Sequence, residues 1–133
     1  MGLIVRLIYA ASLLGATINH VRIVAKHGLL WDYGGVPVAS AAFWTSLTVL
    51  DPLAAILLIA RPNAGVLATA VIILSDVIHN LWMTARTAQP DQFLVAVTSD
   101  PFVASQIAFL LFVAATAPIA WTRREPPVVS TSS

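Results

Sequence analysis

Four long apolar runs alternate with shorter polar connections along the chain, and each run predicts a membrane-spanning helix. Each contains roughly 20 mostly apolar residues, which is the length that a helix needs to cross the hydrocarbon of a bilayer. The runs are continuous and rich in Ala and Leu, without the period-two alternation of a membrane strand. The predicted spans cover residues 3–25, 38–60, 64–85 and 101–121. The pattern favours an all-α membrane four-helix bundle, with two long loops on one side.

The connections between the runs differ in length and character. Residues 61–63, Arg-Pro-Asn, form a breaker triplet that predicts a tight antiparallel hairpin. Residues 26–37 form a long loop in which Trp31 and Tyr33 suit the headgroup interface. The third link carries an apolar patch at 93–97, which predicts a short interfacial helix or a re-entrant piece.

The sequence predicts a single transmembrane domain over residues 1–125, followed by a small polar tail at 126–133 that we expect to be disordered. The first apolar run has the gross shape of a signal peptide, but no clean Ala-x-Ala site follows it, so we expect a retained span.

Composition and charge narrow the classes of partner and chemistry. The chain is 59% hydrophobic and only 10% charged, with a net charge of +1, so no basic patch is available to bind nucleic acid. The chain has no cysteine, which excludes disulfides, thiolate metal sites and cysteine nucleophiles.

An even number of spans places both termini and the hairpin on one side of the membrane. The two sides carry these basic residues: Arg6, Arg61, Arg123 and Arg124 on the terminal side, and Arg22, Lys26 and Arg86 on the loop side. The small excess predicts cytoplasmic termini, although a near-balanced distribution is also typical of a dual-topology protein that forms a homodimer.

Four ionisable side chains interrupt these apolar runs and form the main functional signal. They are His20, Asp51, Asp76 and His79. An ionisable group within a span is costly and usually faces a partner, a cavity or a substrate. With a helical rise of about 1.5 Å per residue, Asp51 lies near the midplane and the other three lie in the half nearer the long loops.

Helical periodicity adds neighbours to these groups. Asp76, His79 and Asn80 follow one stripe of span 3, and Trp44, Thr48 and Asp51 follow one stripe of span 2. These positions predict a polar pocket in the loop-side half of the bundle, with Asp51 as its floor. Asp51, Asp76 and His79 are the candidates for acid–base chemistry. The candidate ligand-binding residues are Asn19, His20, Trp44, Thr48, Asn80, Trp82 and Gln106.

Each ionisable group also has a simpler structural explanation. Asp51 would brace a break in the helix at Pro52, where the proline removes one N–H group. Asp76 and His79, one turn apart, would neutralise each other through a hydrogen bond. No histidine cluster has zinc spacing, and no metal or cofactor is predicted; the alternative is haem b held between His20 and His79.

The layout resembles the EXPERA family, four-span proteins that include sterol isomerases and a sigma-2-receptor-like branch. Two segments carry the resemblance: an aromatic-led span with an acid before a proline (residues 43–52), and a polar, histidine-bearing stretch (residues 75–82). The resemblance implies a vestibule within the membrane for a sterol-like or cationic amphiphilic molecule. In isomerase members it implies proton transfer by Asp51, Asp76 and His79, with Trp44 or Trp82 steadying the carbocation. The chain departs from the family because it has no glutamate within a span.

Three hypotheses of function follow. The first is a membrane protein that binds a lipid or another hydrophobic small molecule, amphiphilic or cationic and sterol-like, in the Asp/His pocket, with or without isomerase chemistry. The second is a small proton-coupled transporter. The third is an accessory subunit whose polar residues only hold the helices together.

Overall fold

The computed structural model describes residues 1–122, and in that part of the chain it contains helices and no strands. The elements are α1 (Gly2–His27), α2 (Val38–Ala60), α3 (Pro62–Thr87), a 3₁₀ turn (Pro90–Gln92), α4 (Phe93–Ser99) and α5 (Pro101–Ala120). The helices α1, α2, α3 and α5 are each long and apolar enough to cross a membrane. The prediction of an all-α, four-helix, multi-pass membrane protein is confirmed. The tail at 126–133 lies outside the described residues.

The observed helix limits follow from the chemistry of the residues at each end. The bounds of α2 match the prediction, whereas α1 and α3 extend slightly beyond the apolar runs because their polar final turns remain helical. Pro62 begins α3, a position where its missing N–H has no helical partner to lose. The hairpin link is therefore Arg61 alone. At the start of α5, the carboxylate of Asp100 accepts hydrogen bonds from the N–H groups of Phe102 (2.8 Å) and Val103 (3.3 Å).

The predicted break in the second span is wrong, because α2 remains helical through Pro52. The proline removes one hydrogen bond, the one that the carbonyl of Thr48 would accept. The other backbone groups of a span have no water as an alternative partner, and this favours continuation of the helix. Asp51 is thus held by a continuous helix and is not needed to brace a break.

The spans form a ring in which α1 contacts α2, α2 contacts α3, α3 contacts α5, and α5 closes onto α1. The α2–α3 hairpin is tightly packed at Gly65, where an added Cβ atom would collide with the backbone of Leu58. A glycine is required there because the two helix backbones approach so closely.

The half of the bundle that carries the termini is filled by a packed core. Tyr9 on α1 is fully buried, and its ring stands edge-on to Phe109 and Phe112 of α5. Its hydroxyl lies 2.7 Å from the Oγ1 atom of Thr116 and 3.2 Å from the carbonyl oxygen of Val113. These contacts hold α1 against α5 on the terminal side.

The loop-bearing end of the bundle carries α4, in agreement with the apolar patch seen in the sequence. At the opposite end, the side chain of Asn63 joins the start of α3 to the residues after α5. It donates to the carbonyl oxygen of Thr122 (3.0 Å) and accepts from the N–H of the same residue (2.8 Å). The start of α3 and the end of α5 are therefore joined on the terminal side, and the cavity lies in the loop-side half.

Candidate functional site

The loop-side half of the bundle contains a partly open cavity of about 570 Å³ to which all four spans contribute. Asp51 lines it, and its position as the floor stays a prediction. Most of the predicted site residues line it: Asn19, His20, Trp44, Asp51, Asp76, Asn80 and Gln106. Apolar side chains, among them Ile72, Ile73 and Phe109, form much of the remaining wall. The structure thus brings polar groups from four helices to one mainly apolar space.

Asp51 on α2 and His20 on α1 lie next to each other in the cavity wall. The Nε2 atom of His20 lies 3.9 Å from the Oδ2 atom of Asp51, which is longer than a hydrogen bond. Asp51 is only 2% exposed, and the buried Nδ1 atom of His20 has no hydrogen-bond partner among residues 1–122. Both side chains are therefore close enough to interact and still able to accept a further partner.

Asp76 is held by Asn80, and both are linked to the neighbouring helix. The side-chain amide nitrogen of Asn80 donates to the Oδ1 atom of Asp76 (2.8 Å) and to the Oε1 atom of Gln106 on α5 (3.0 Å). The backbone carbonyl of Asp76 also lies 2.9 Å from this nitrogen. One amide thus orients the Asp76 carboxylate and connects α3 to α5.

His79 does not share the cavity with Asp76, so the predicted common stripe is wrong at this position. Residues three apart on a helix differ by about 60° in direction, and residues four apart by about 40° in the opposite sense. Asp76 and Asn80 both line the cavity. The direction of His79 differs from that of Asn80 by about 100°, and His79 does not line the cavity. The predicted Asp76–His79 hydrogen bond does not form, because Asn80 is the side-chain partner of Asp76.

His79 instead lies in a separate shallow groove on the outside of α2 and α3. The groove is lined by Phe43, Ser75, Ile78, His79 and Trp82. The imidazole of His79 packs 4.7 Å from the ring of Phe43 and 5.2 Å from that of Trp44, measured between centroids. The predicted ligand residue Trp82 lies in this groove as well, and the guanidinium of Arg86 stands 4.9 Å above its ring.

Thr48 is the other predicted ligand residue that does not line the cavity. Its Oγ1 atom is buried and has no hydrogen-bond partner in the described part of the chain. It lies one turn before Asp51 on α2, and helical spacing alone did not distinguish it from the true lining positions.

The charges of the cavity are unbalanced. Two buried carboxylic acids, Asp51 and Asp76, line it, and within the described range no Lys or Arg does so. His20 is the one basic side chain among these lining residues, and its imidazole is 12% exposed. The arrangement can receive a cation, a hydrogen-bond donor or protons.

Tyr33 is a lining residue that the sequence analysis assigned to the headgroup interface. Its ring turns inward over the cavity and packs 4.8 Å from the ring of Trp44. Burial raises the pKa of the Tyr33 hydroxyl above its ordinary value, so the phenol stays neutral near pH 7. Nothing in the local pattern of this loop distinguishes an inward-facing tyrosine from an interfacial one.

The sequence analysis also missed two aromatic lining residues of α5, Phe102 and Phe109, although their helical spacing indicates them. Phe102, Gln106 and Phe109 follow the spacing i, i+4, i+7, and all three line the cavity. The stripe argument used for spans 2 and 3 would have found them had it been applied to span 4.

The two histidines considered as haem ligands face different spaces, His20 the cavity and His79 the outer groove. The structure therefore does not bring them together as an axial pair. In the part of the chain that the structure describes, no three His, Asp or Glu side chains come close enough to hold a metal ion.

Comparisons with protein-family models, with curated proteins and with solved structures found no match for this chain.

Proposed function

We propose that the cavity binds a small amphiphilic molecule that carries a cationic group. The observation that carries the proposal is the pair of carboxylic acids, Asp51 and Asp76, in one mainly apolar cavity with no lysine or arginine among its described lining residues. An uncompensated carboxylate at membrane depth is costly, and a bound cation offsets that cost.

The size and lining of the cavity fit such a ligand. Its volume of about 570 Å³ lies within the roughly 300–1,000 Å³ range of pockets that hold small molecules. Isoleucine and phenylalanine walls suit an apolar body, while the carboxylates suit a charged head. The resemblance to the EXPERA family points to the same class of ligand.

A second candidate function is double-bond isomerisation by acid–base chemistry. The neighbouring pair His20 and Asp51 favours it, because one member can protonate one alkene carbon while the other removes a proton from the allylic carbon attached to the other alkene carbon. The double bond then moves with no net change in protons. In this arrangement His20 takes the role that the sequence analysis gave to His79.

Binding of matched alkyl ligands to the protein in lipid nanodiscs tests the proposal. We expect dodecylamine to bind the wild type more tightly than dodecanol, which has the same chain and no charge. Asp51→Asn and Asp76→Asn should each weaken dodecylamine binding by about tenfold or more, because each removes a charge-assisted contact, and should leave dodecanol binding little changed. Intrinsic tryptophan fluorescence offers a signal, since Trp44, one of the four tryptophans, lines the cavity.

Asp91→Asn is the matched control, since this exposed aspartate lies in the loop before α4 and outside the cavity. It should bind both ligands as the wild type does. Equal binding of amine and alcohol would contradict the proposal. If both cavity variants also failed to fold, the accessory-subunit hypothesis would be favoured. Proton movement into proteoliposomes on addition of the amine would favour the transporter.

A further inference from the structure

We propose that Tyr33 closes the cavity against water on the loop-bearing side and thereby controls how long a ligand is retained. The ring of Tyr33 lines the cavity although its backbone belongs to the loop between α1 and α2. No other residue of that loop lines the cavity. The effect on ligand retention rests on the proposed function, whereas the closure against water does not.

A continuous row of aromatic rings leads from the exposed surface to the cavity wall. The imidazole of the exposed His27 stacks on Trp31 at 3.9 Å between centroids. Trp31 contacts Tyr33 at 4.7 Å, and Tyr33 contacts Trp44, which is itself a cavity residue, at 4.8 Å. Within this row, the ring of Tyr33 thus lies between Trp31 of the loop and the cavity residue Trp44.

The loop backbone adopts an unfavourable conformation to place this ring. Tyr33 has φ of 50°, in the left-handed region that non-glycine residues rarely occupy. The turn that holds it is built on Asp32, whose carbonyl oxygen accepts from the N–H groups of Gly35 (3.0 Å) and Val36 (2.7 Å). Its carboxylate accepts from the N–H of Gly34 (3.1 Å). Strained backbone that persists at a cavity is typical of functional positions.

Leu30 provides a matched comparison within the same loop. Its φ of 58° is also left-handed, but its side chain is 53% exposed and does not line the cavity. Asparagine tolerates the left-handed region, so Leu30→Asn and Tyr33→Asn both relieve the backbone. Only Tyr33→Asn opens the cavity.

Water access is measured directly by cysteine labelling, since the chain has no cysteine of its own. Ala16→Cys places a thiol on the cavity wall formed by α1. We expect a small, charged, water-soluble methanethiosulfonate reagent to label this cysteine about tenfold faster when Tyr33→Asn is also present, because the aromatic barrier is lost. Leu30→Asn and Tyr33→Phe, which keeps the ring, should label at the wild-type rate.

Ligand retention is measured by the rate at which dodecylamine leaves the protein in nanodiscs. We expect release to be about tenfold faster from Tyr33→Asn than from the wild type, Tyr33→Phe or Leu30→Asn, because one aromatic contact and the exclusion of water are lost together. Circular dichroism and a monodisperse elution profile establish that each variant is folded. If Tyr33→Asn does not fold, Tyr33→Gly takes its place, since glycine also adopts positive φ.

The outcomes separate this inference from the proposed function. Unchanged labelling in a folded Tyr33→Asn protein overturns the closure, and so does fast labelling in Tyr33→Phe. Faster labelling with unchanged release overturns the role in retention. Failure of dodecylamine to bind the wild type contradicts the proposed function, and the labelling result still decides whether Tyr33 closes the cavity.

Discussion

At the scale of single residues, the side-chain amide of Asn80 is the hydrogen-bond donor that two neighbouring side chains share. Its nitrogen, which carries two hydrogens, lies within hydrogen-bond distance of three acceptors, two on Asp76 and one on Gln106. The Asp76 carboxylate therefore depends on one neighbour for its orientation. A polar group buried in this way is costly when its partner is removed.

Asn80→Ala should lower the free energy of unfolding by about 1–3 kcal/mol, because the Asp76 carboxylate and the Gln106 amide then lose a donor within the bundle. Unfolding in detergent, followed by circular dichroism, measures the loss. Asn19→Ala is the control, since Asn19 lines the same cavity and makes no side-chain hydrogen bond within residues 1–122. Equal losses in both variants would show that the Asn80 bonds contribute no specific stability.

At the scale of elements, the sequence predicted the four spans because a membrane helix imposes a length and a composition that can be counted. The bounds of α2 match, and α1, α3 and α5 differ only at their ends. The error at Pro52 has a physical cause. Local propensity treats proline as a break, whereas a span retains its other hydrogen bonds because the bilayer offers no competing donors or acceptors.

The close approach of α2 and α3 leads to a prediction about two glycines. Gly65→Ala should be strongly destabilising, by about 2 kcal/mol or more, because its new methyl group collides with the backbone of Leu58. Gly15→Ala should be neutral or stabilising by up to about 1 kcal/mol, since nothing lies within 4 Å of a Cβ atom there and glycine is unfavourable within a helix. The same unfolding measurement compares the two. A neutral Gly65→Ala would mean that the hairpin is looser than described.

At the scale of the whole molecule, the cavity lies in the loop-side half because the terminal half is filled. Tyr9 packs against Phe109 and Phe112 of α5 in the terminal half, and the polar lining residues lie in the other half. Depth arithmetic predicted that polar groups of four helices lie together in this half, and residues of all four spans line one cavity. It could not separate Asp76 from His79, because the stripe of Asp76, His79 and Asn80 covers about 100° of the helix surface and only Asp76 and Asn80 line the cavity.

The inward orientation of Tyr33 could not be predicted from the sequence, for a different reason. An aromatic residue in a loop beside a span is typical of the headgroup interface. Its inward orientation depends on a left-handed backbone and on contacts with Trp31 and Trp44, which are tertiary features. The hydrophobic periodicity of the sequence predicts neither the backbone angle of a loop residue nor its tertiary contacts.

The proposal that the carboxyl groups of Asp51 and Asp76 receive a cationic ligand is tested by the charge selectivity of the cavity. The measurement is the ratio of the affinities for dodecylamine and dodecanol in nanodiscs at pH 7, for the wild type and for the double variant Asp51→Asn, Asp76→Asn. At this pH the amine is charged and the alcohol is not. We predict that the wild type prefers the amine by about tenfold or more, and that the double variant binds the two ligands about equally. Equal affinities in the wild type, or a preference for the amine that survives in the double variant, would contradict a carboxylate site for the cation.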